Sequence, residues 1–72
     1  MERFGEKLRA LREKHGLSYR QLATELEVSH SHLVRIEGGS KQPALDLAIR
    51  IALYFKVSLD DLLLDDRKLR LK

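Results

Sequence analysis

LSYRQLATELEVSHSHLVRI, residues 17–36, is the stretch whose interpretation decides the fold. Ser18 stands where a helix N-cap is wanted and Gln21 follows three residues later. That is the pattern of a capping box, in which each side chain bonds the backbone N–H of the other residue. Leu17 and Leu22 flank the box at the positions of a hydrophobic staple, which sets the angle at which the chain enters the helix. Leu22 and Leu26 lie one turn apart and point inward, and Leu33 and Ile36, three apart on the next helix, meet them. Small Ala23 lets the two helix axes approach closely, and Ser29 caps the second helix. The spacing predicts a helix-turn-helix.

Working outward, the second helix of the pair leaves His30, Ser31, His32, Val34 and Arg35 free to face a partner. A short exposed helix with a polar N-terminal half fits the major groove of B-DNA. Before residue 17, the pattern predicts a first helix over residues 4–15, with Phe4, Leu8 and Leu11 on one face and Gly16 ending it. The motif itself divides into helices over residues 19–26 and 30–37. Gly38 and Gly39 stop the latter, and a loop through Ser40, Lys41 and Gln42 leads to Pro43. A fourth helix is expected over residues 44–55, and Ser58 caps a short fifth through Leu64. Local signals agree throughout, which favours one all-α domain over residues 1–72, with 65–72 a flexible or dimer-related tail.

Size and charge bound the rest. Seventy-two residues, 43% hydrophobic and 35% charged, fit a single small globular domain that buries about 60% of its unfolded-chain surface. Cysteine is absent, so neither disulfides nor thiolate metal sites can staple the core. Stability must come from packing and from a partner subunit. A net charge of +3 is a modest excess, so a basic face has to come from arrangement rather than amount. With no apolar run near ~18 residues and no secretory pattern, a cytoplasmic protein away from membranes is expected.

The chain as a whole resembles the Cro-type, phage-repressor-like (XRE) family of DNA-binding domains. The resemblance is carried by Leu8-Arg9-Ala10-Leu11-Arg12-Glu13, Gly16-Leu17-Ser18, Gln21-Leu22-Ala23 and Val28-Ser29. It continues through Arg35-Ile36-Glu37-Gly38-Gly39, Pro43 and Val57-Ser58-Leu59-Asp60-Asp61-Leu62-Leu63. Each piece alone is weak; their order and spacing together are specific. The resemblance implies a five-helix, lambda-repressor-like fold with the helix-turn-helix at helices 2 and 3. It also implies that His30, Ser31 and Arg35 face base edges, with Val34 and His32 at the margins. Arg35 is the strongest of these, because a guanidinium matches the two acceptors that guanine shows in the major groove.

In this family an arginine of the first helix pairs with a glutamate ending the third. Arg12 and Glu37 stand at those positions, as a bridge that orients the recognition helix. Three positions depart from the family pattern. Glu27 occupies the inter-helix turn where Gly is common, at a cost of about 1 kcal/mol if the turn needs a positive φ. Tyr19 replaces a Gln that contacts a phosphate, although a phenol can still donate. Ala44 lacks the capping hydroxyl often found at the fourth helix.

Phosphate contacts are expected from Ser18, Tyr19 and Arg20, since a helix N-terminus presents free N–H groups and partial positive charge to anions. The Gly39-Ser40-Lys41-Gln42 loop is the natural second clamp. Such contacts position the domain without reading sequence. His30 and His32 invite a metal interpretation, but two positions apart on a helix they point in different directions, and no Cys or carboxylate cluster joins them. His15 favours the C-terminus of the first helix. No metal, cofactor or small-molecule ligand is expected.

The fourth helix is apolar nearly all round, with only Asp46 and Arg50 plainly polar. Such a helix is central or part of an interface. Leu47, Ile49, Leu53 and Tyr54, with Leu63 and Leu64, are therefore expected to join two copies about a two-fold axis. The alternating Lys68-Leu69-Arg70-Leu71-Lys72 end is a frayed terminus, an exchanged strand or a phosphate arm. The leading expectation is a homodimeric regulator, a repressor, reading a palindromic operator. The alternative is a protein-interaction module or antitoxin-like partner using the apolar fourth helix. Catalysis is disfavoured, because no nucleophile–base set, carboxylate pair or cofactor loop is present.

Overall fold

The computed structural model describes residues 3–68, and these form five helices. They are α1 (Phe4–Lys14), α2 (Tyr19–Leu26), α3 (His30–Glu37), α4 (Leu45–Phe55) and α5 (Leu59–Leu63). No strand occurs among the described residues. The first helix ends one residue before the expected boundary, Ala44 is the N-cap of α4 rather than its first residue, and Leu64 falls outside α5 in extended conformation.

Helix starts follow the serines. Ser18 accepts from Gln21 N at 3.1 Å while Gln21 Oε1 accepts from Ser18 N at 2.8 Å, completing the capping box. Ser29 and Ser58 accept from the amides of His32 and Asp61. Ala44 has no side-chain acceptor to offer, and α4 starts without one.

Helix ends share a different device. In α1 to α4 the amide of a residue just beyond the helix bonds the carbonyl five residues back, closing a Schellman-type turn. Leu17 N bonds Arg12 O, Val28 N bonds Ala23 O, Ser40 N bonds Arg35 O and Val57 N bonds Ala52 O, each at 3.0 Å. The residue before each of these is left-handed: Gly16, Glu27, Gly39 and Lys56. After three of the four turns comes an apolar residue, Leu17, Val28 or Val57, which packs against the core.

That core draws on every helix. Phe4, Leu8 and Leu11 of α1, Leu22 and Leu26 of α2, and Leu33 and Ile36 of α3 meet Leu47, Ile51 and Phe55 of α4 and Leu62 of α5. Helix α1 packs against α3 and α5, while α2 packs against α3 and α4. The approach of α1 to the end of α3 depends on Gly5. A Cβ there would stand 2.5 Å from the Ile36 carbonyl oxygen and 2.6 Å from that of Glu37.

Polar groups tie residues 3–7 to residues 61–67. Buried Lys7 donates to the carbonyls of Asp61, at 2.6 Å, and of Leu64, at the C-terminal end of α5, where the Leu64 amide also bonds the Asp60 carbonyl at 2.9 Å. Asp61 accepts from Arg67 Nε at 2.9 Å, and Asp65 accepts from Arg3 N at 2.9 Å. Asp65 and Arg67, in the stretch expected as a flexible or dimer-related tail, are thus bonded to Arg3 at the N-cap of α1 and to Asp61 of α5. Residues 69–72, the exchanged strand or arm of the alternatives above, lie outside the described residues. No helix among the described residues is long and apolar enough to cross a membrane.

Candidate nucleic-acid interface

Helix α3 is fastened from its inner side. Leu33 and Ile36 are fully buried, and Glu37 in the last turn is met by Arg12 of α1, Nε to Oε2 at 2.9 Å. Both side chains are nearly out of solvent, 10% exposed for Arg12 and 1% for Glu37. The hydrogen bond to Glu37 holds the Arg12 guanidinium above its ordinary pKa, outweighing the desolvation that opposes it. Glu37 Oε1 is buried without a partner among the described residues, because Arg12 spends its Nη1 on the Leu17 carbonyl, at 2.9 Å, rather than on a second carboxylate bond. Arg12 therefore joins α1, the turn into α2, and the end of α3.

Tyr19 completes this hub. The Arg12 guanidinium carbon lies 4.1 Å from the centroid of its ring, within cation–π range. The ring also meets the His30 imidazole in an edge-to-face arrangement, with centroids 5.7 Å apart at 86°. Tyr19 is half-buried as a result, whereas its expected phosphate-binding neighbours Ser18 and Arg20 are exposed. The Ser18 hydroxyl and amide are already engaged in the capping box. The amides of Tyr19 and Arg20, in the first turn, have no intrahelical acceptor.

The outward face of α3 presents His30, Ser31, Val34 and Arg35 to solvent, with His32 half-buried. Arg35 has no side-chain partner among the described residues; its carbonyl accepts from the amide and the hydroxyl of Ser40. Ser40 therefore fixes the loop to the helix end, while Gly39, Lys41 and Gln42 stand exposed beside it. The first turn of α2, the outer side of α3 and this loop are the three parts expected to line one surface. No group of three side chains able to hold a metal ion occurs among the described residues.

The expected interface on α4 divides. Leu47 is 3% exposed and belongs to the protomer's own core, so it cannot face a second copy; its position on the inner side of the helix, with Ile51 and Phe55, is the reason. Leu63 is half-buried against the same core. Ile49 and Leu53 are exposed, and Leu45, not anticipated, is exposed with them. At spacing four, the three form one stripe. Tyr54 lies about 100° round the helix from Leu53, across an edge held by Asp46 and Arg50. Arg50 also donates to the Leu26 carbonyl at 2.7 Å, pinning the end of α2 to α4.

Comparison with known proteins fits this geometry. A helix-turn-helix family model matches residues 8–62. The chain belongs to the XRE-type helix-turn-helix family. A Methanocaldococcus jannaschii protein named as an uncharacterized HTH-type transcriptional regulator is 39% identical over 56 residues, covering 78% of this chain and 85% of that protein. A putative HTH-type transcriptional regulatory protein of Thermococcus kodakarensis is 46% identical over 55 residues; these cover 76% of this chain but only 17% of that protein. The HTH-type transcriptional repressor RghR of Bacillus subtilis is 54% identical over 41 residues, or 57% of this chain and 30% of RghR. Among solved structures, the N-terminal DNA-binding domain of SinR from Bacillus subtilis superposes with a TM-score of 0.83 at 23% identity, covering 94% of this chain and all of that one. The fold is thus lambda-repressor-like.

Proposed function

We propose that this chain is a DNA-binding transcriptional regulator that inserts α3 into the major groove and represses by occupying an operator. The observation that carries this is the rigid seating of α3. Its inner side is locked by Leu33, Ile36 and the buried Arg12–Glu37 pair, while Arg35 points outward without a partner among the described residues. The relatives' names, which include transcriptional regulators and a transcriptional repressor, support it. In this account Arg35 donates to a guanine and His30 and Ser31 meet neighbouring base edges, with Val34 and His32 at the margins. Arg20, the Ser18 O–H that the capping box leaves free to donate, and the Gly39-Ser40-Lys41-Gln42 loop hold phosphates on either side of the groove. A second copy, joined through the exposed stripe of α4, reads the other half of a palindrome.

Two variants separate reading from holding. Arg35→Ala is expected to lose about 5- to 150-fold in affinity for a site selected from a random duplex library, and to relax the preference at one base pair. Lys41→Ala should weaken selected and random duplexes alike and reduce the slope of log affinity against log salt by about 1. Wild-type protein that binds all duplexes equally, with an affinity indifferent to salt, would overturn the proposal.

A further inference from the structure

Tyr19 and His30 are the first residues of α2 and α3, and their rings touch. We propose that Tyr19 is a positioning residue for base recognition, setting sequence preference by fixing the His30 imidazole rather than by giving its phenol to a phosphate. The proposal rests on the DNA-binding function above.

The argument is a chain of immobilised groups running outward from the core. Glu37 is buried at the end of α3, and it holds Arg12 by a 2.9 Å hydrogen bond. Arg12 is held a second time by the Leu17 carbonyl, also at 2.9 Å. A guanidinium so fixed is a rigid plate, and the Tyr19 ring lies against it at 4.1 Å. Tyr19 also packs against the hydrophobic core, which restrains it further. The Tyr19–His30 centroid separation of 5.7 Å at 86° is the edge-to-face arrangement that aromatic pairs prefer. His30 is itself exposed and would otherwise sample several rotamers. Held by Tyr19, it meets a base edge already oriented, and the ordering cost of binding falls. Phosphate binding by the phenol needs none of this stacking and would leave the ring free to swing.

The experiment measures the binding of wild type, Tyr19→Phe, Tyr19→Leu, His30→Ala and Tyr19→Leu/His30→Ala to a selected duplex and to its single-base variants. Tyr19→Phe keeps the ring, and it should retain the wild-type affinity and preference. Tyr19→Leu should flatten discrimination about 2- to 10-fold at the base pair where His30→Ala flattens it, leaving the other positions unchanged. The double variant should match His30→Ala, since a positioning residue has nothing left to position. An equal loss by Tyr19→Phe on selected and random DNA would overturn the proposal in favour of a phosphate ligand. Full retention of preference by Tyr19→Leu would also overturn it. Wild type without any preference removes the DNA-binding function and this inference together, so the two failures are distinguishable. A measurement on wild type alone guards against a variant that does not fold. NMR should show contacts between the Tyr19 and His30 rings and a single His30 χ1 rotamer, and averaging over rotamers would overturn the inference.

Discussion

At Glu27 the backbone takes φ 58° and ψ 42°, and at Lys56 φ 57° and ψ 45°. In that left-handed region a Cβ crowds the following carbonyl, at a cost of roughly 1–2 kcal/mol. Gly16 and Gly39 meet the same requirement in α1 and α3 without the penalty. Glu27→Gly therefore trades local strain against the extra freedom of an unfolded glycine, and a net gain of about 0.5–1 kcal/mol in stability is expected. Urea unfolding should show a higher midpoint at an unchanged slope; a lower midpoint would mean that the Glu27 side chain contributes more than its backbone costs. This position was legible through the family resemblance, which commonly places Gly in the turn between α2 and α3. Lys56 was harder to see. The helix end at residue 55 was expected, but with no Gly in Phe55-Lys56-Val57 nothing marked Lys56 as left-handed. Gly5 was invisible, because its role depends on α3 carbonyls more than thirty residues away.

Between elements, the Arg12–Glu37 pair decides whether α3 sits at a fixed angle to α1. Removing one member strands a buried charge, so Arg12→Ala and Glu37→Ala are each expected to cost roughly 3–5 kcal/mol. That is a large part of the total for so small a domain. An apolar replacement of both, Arg12→Met with Glu37→Leu, leaves no stranded charge and should recover most of the loss. Thermal melts of the two single variants that coincide with wild type would overturn this account of the pair. Helix boundaries and the capping serines were readable because they depend on residues three or four apart. The hub around Arg12 was readable only in part. A family pattern suggests an arginine and a glutamate, but the Leu17 carbonyl and the Tyr19 ring become its partners only once α1 and α2 are folded together. For the same reason the contacts of the Tyr19 ring with Arg12 and His30 were not foreseen when Tyr19 was placed among the expected phosphate ligands. The all-round apolar composition of α4 likewise concealed which side is inner: Leu47 packs inward, and Leu45 stands out.

For the whole molecule the question is reach. The domain measures 28 × 25 × 19 Å, whereas matching major-groove faces on one side of B-DNA recur about every 34 Å. One copy cannot read both halves of a palindrome, so the proposed operator needs two, related by a two-fold axis that brings the same surface of each together. The exposed stripe of Leu45, Ile49 and Leu53 is the proposed contact surface. At 73% exposure Leu53 contributes little to the protomer's own core, so Leu53→Lys should leave the fold intact. It places two like charges against each other across the axis, and sedimentation at micromolar concentration should show a wild-type dimer but a monomeric variant. On DNA the variant should bind a full palindrome no better than a single half-site, with its preference at each base unchanged, because α3 is untouched. A wild type that sediments as a monomer without DNA would overturn the dimer. It would also leave the stripe open to a different protein, and that outcome favours the interaction-module alternative over the symmetric regulator.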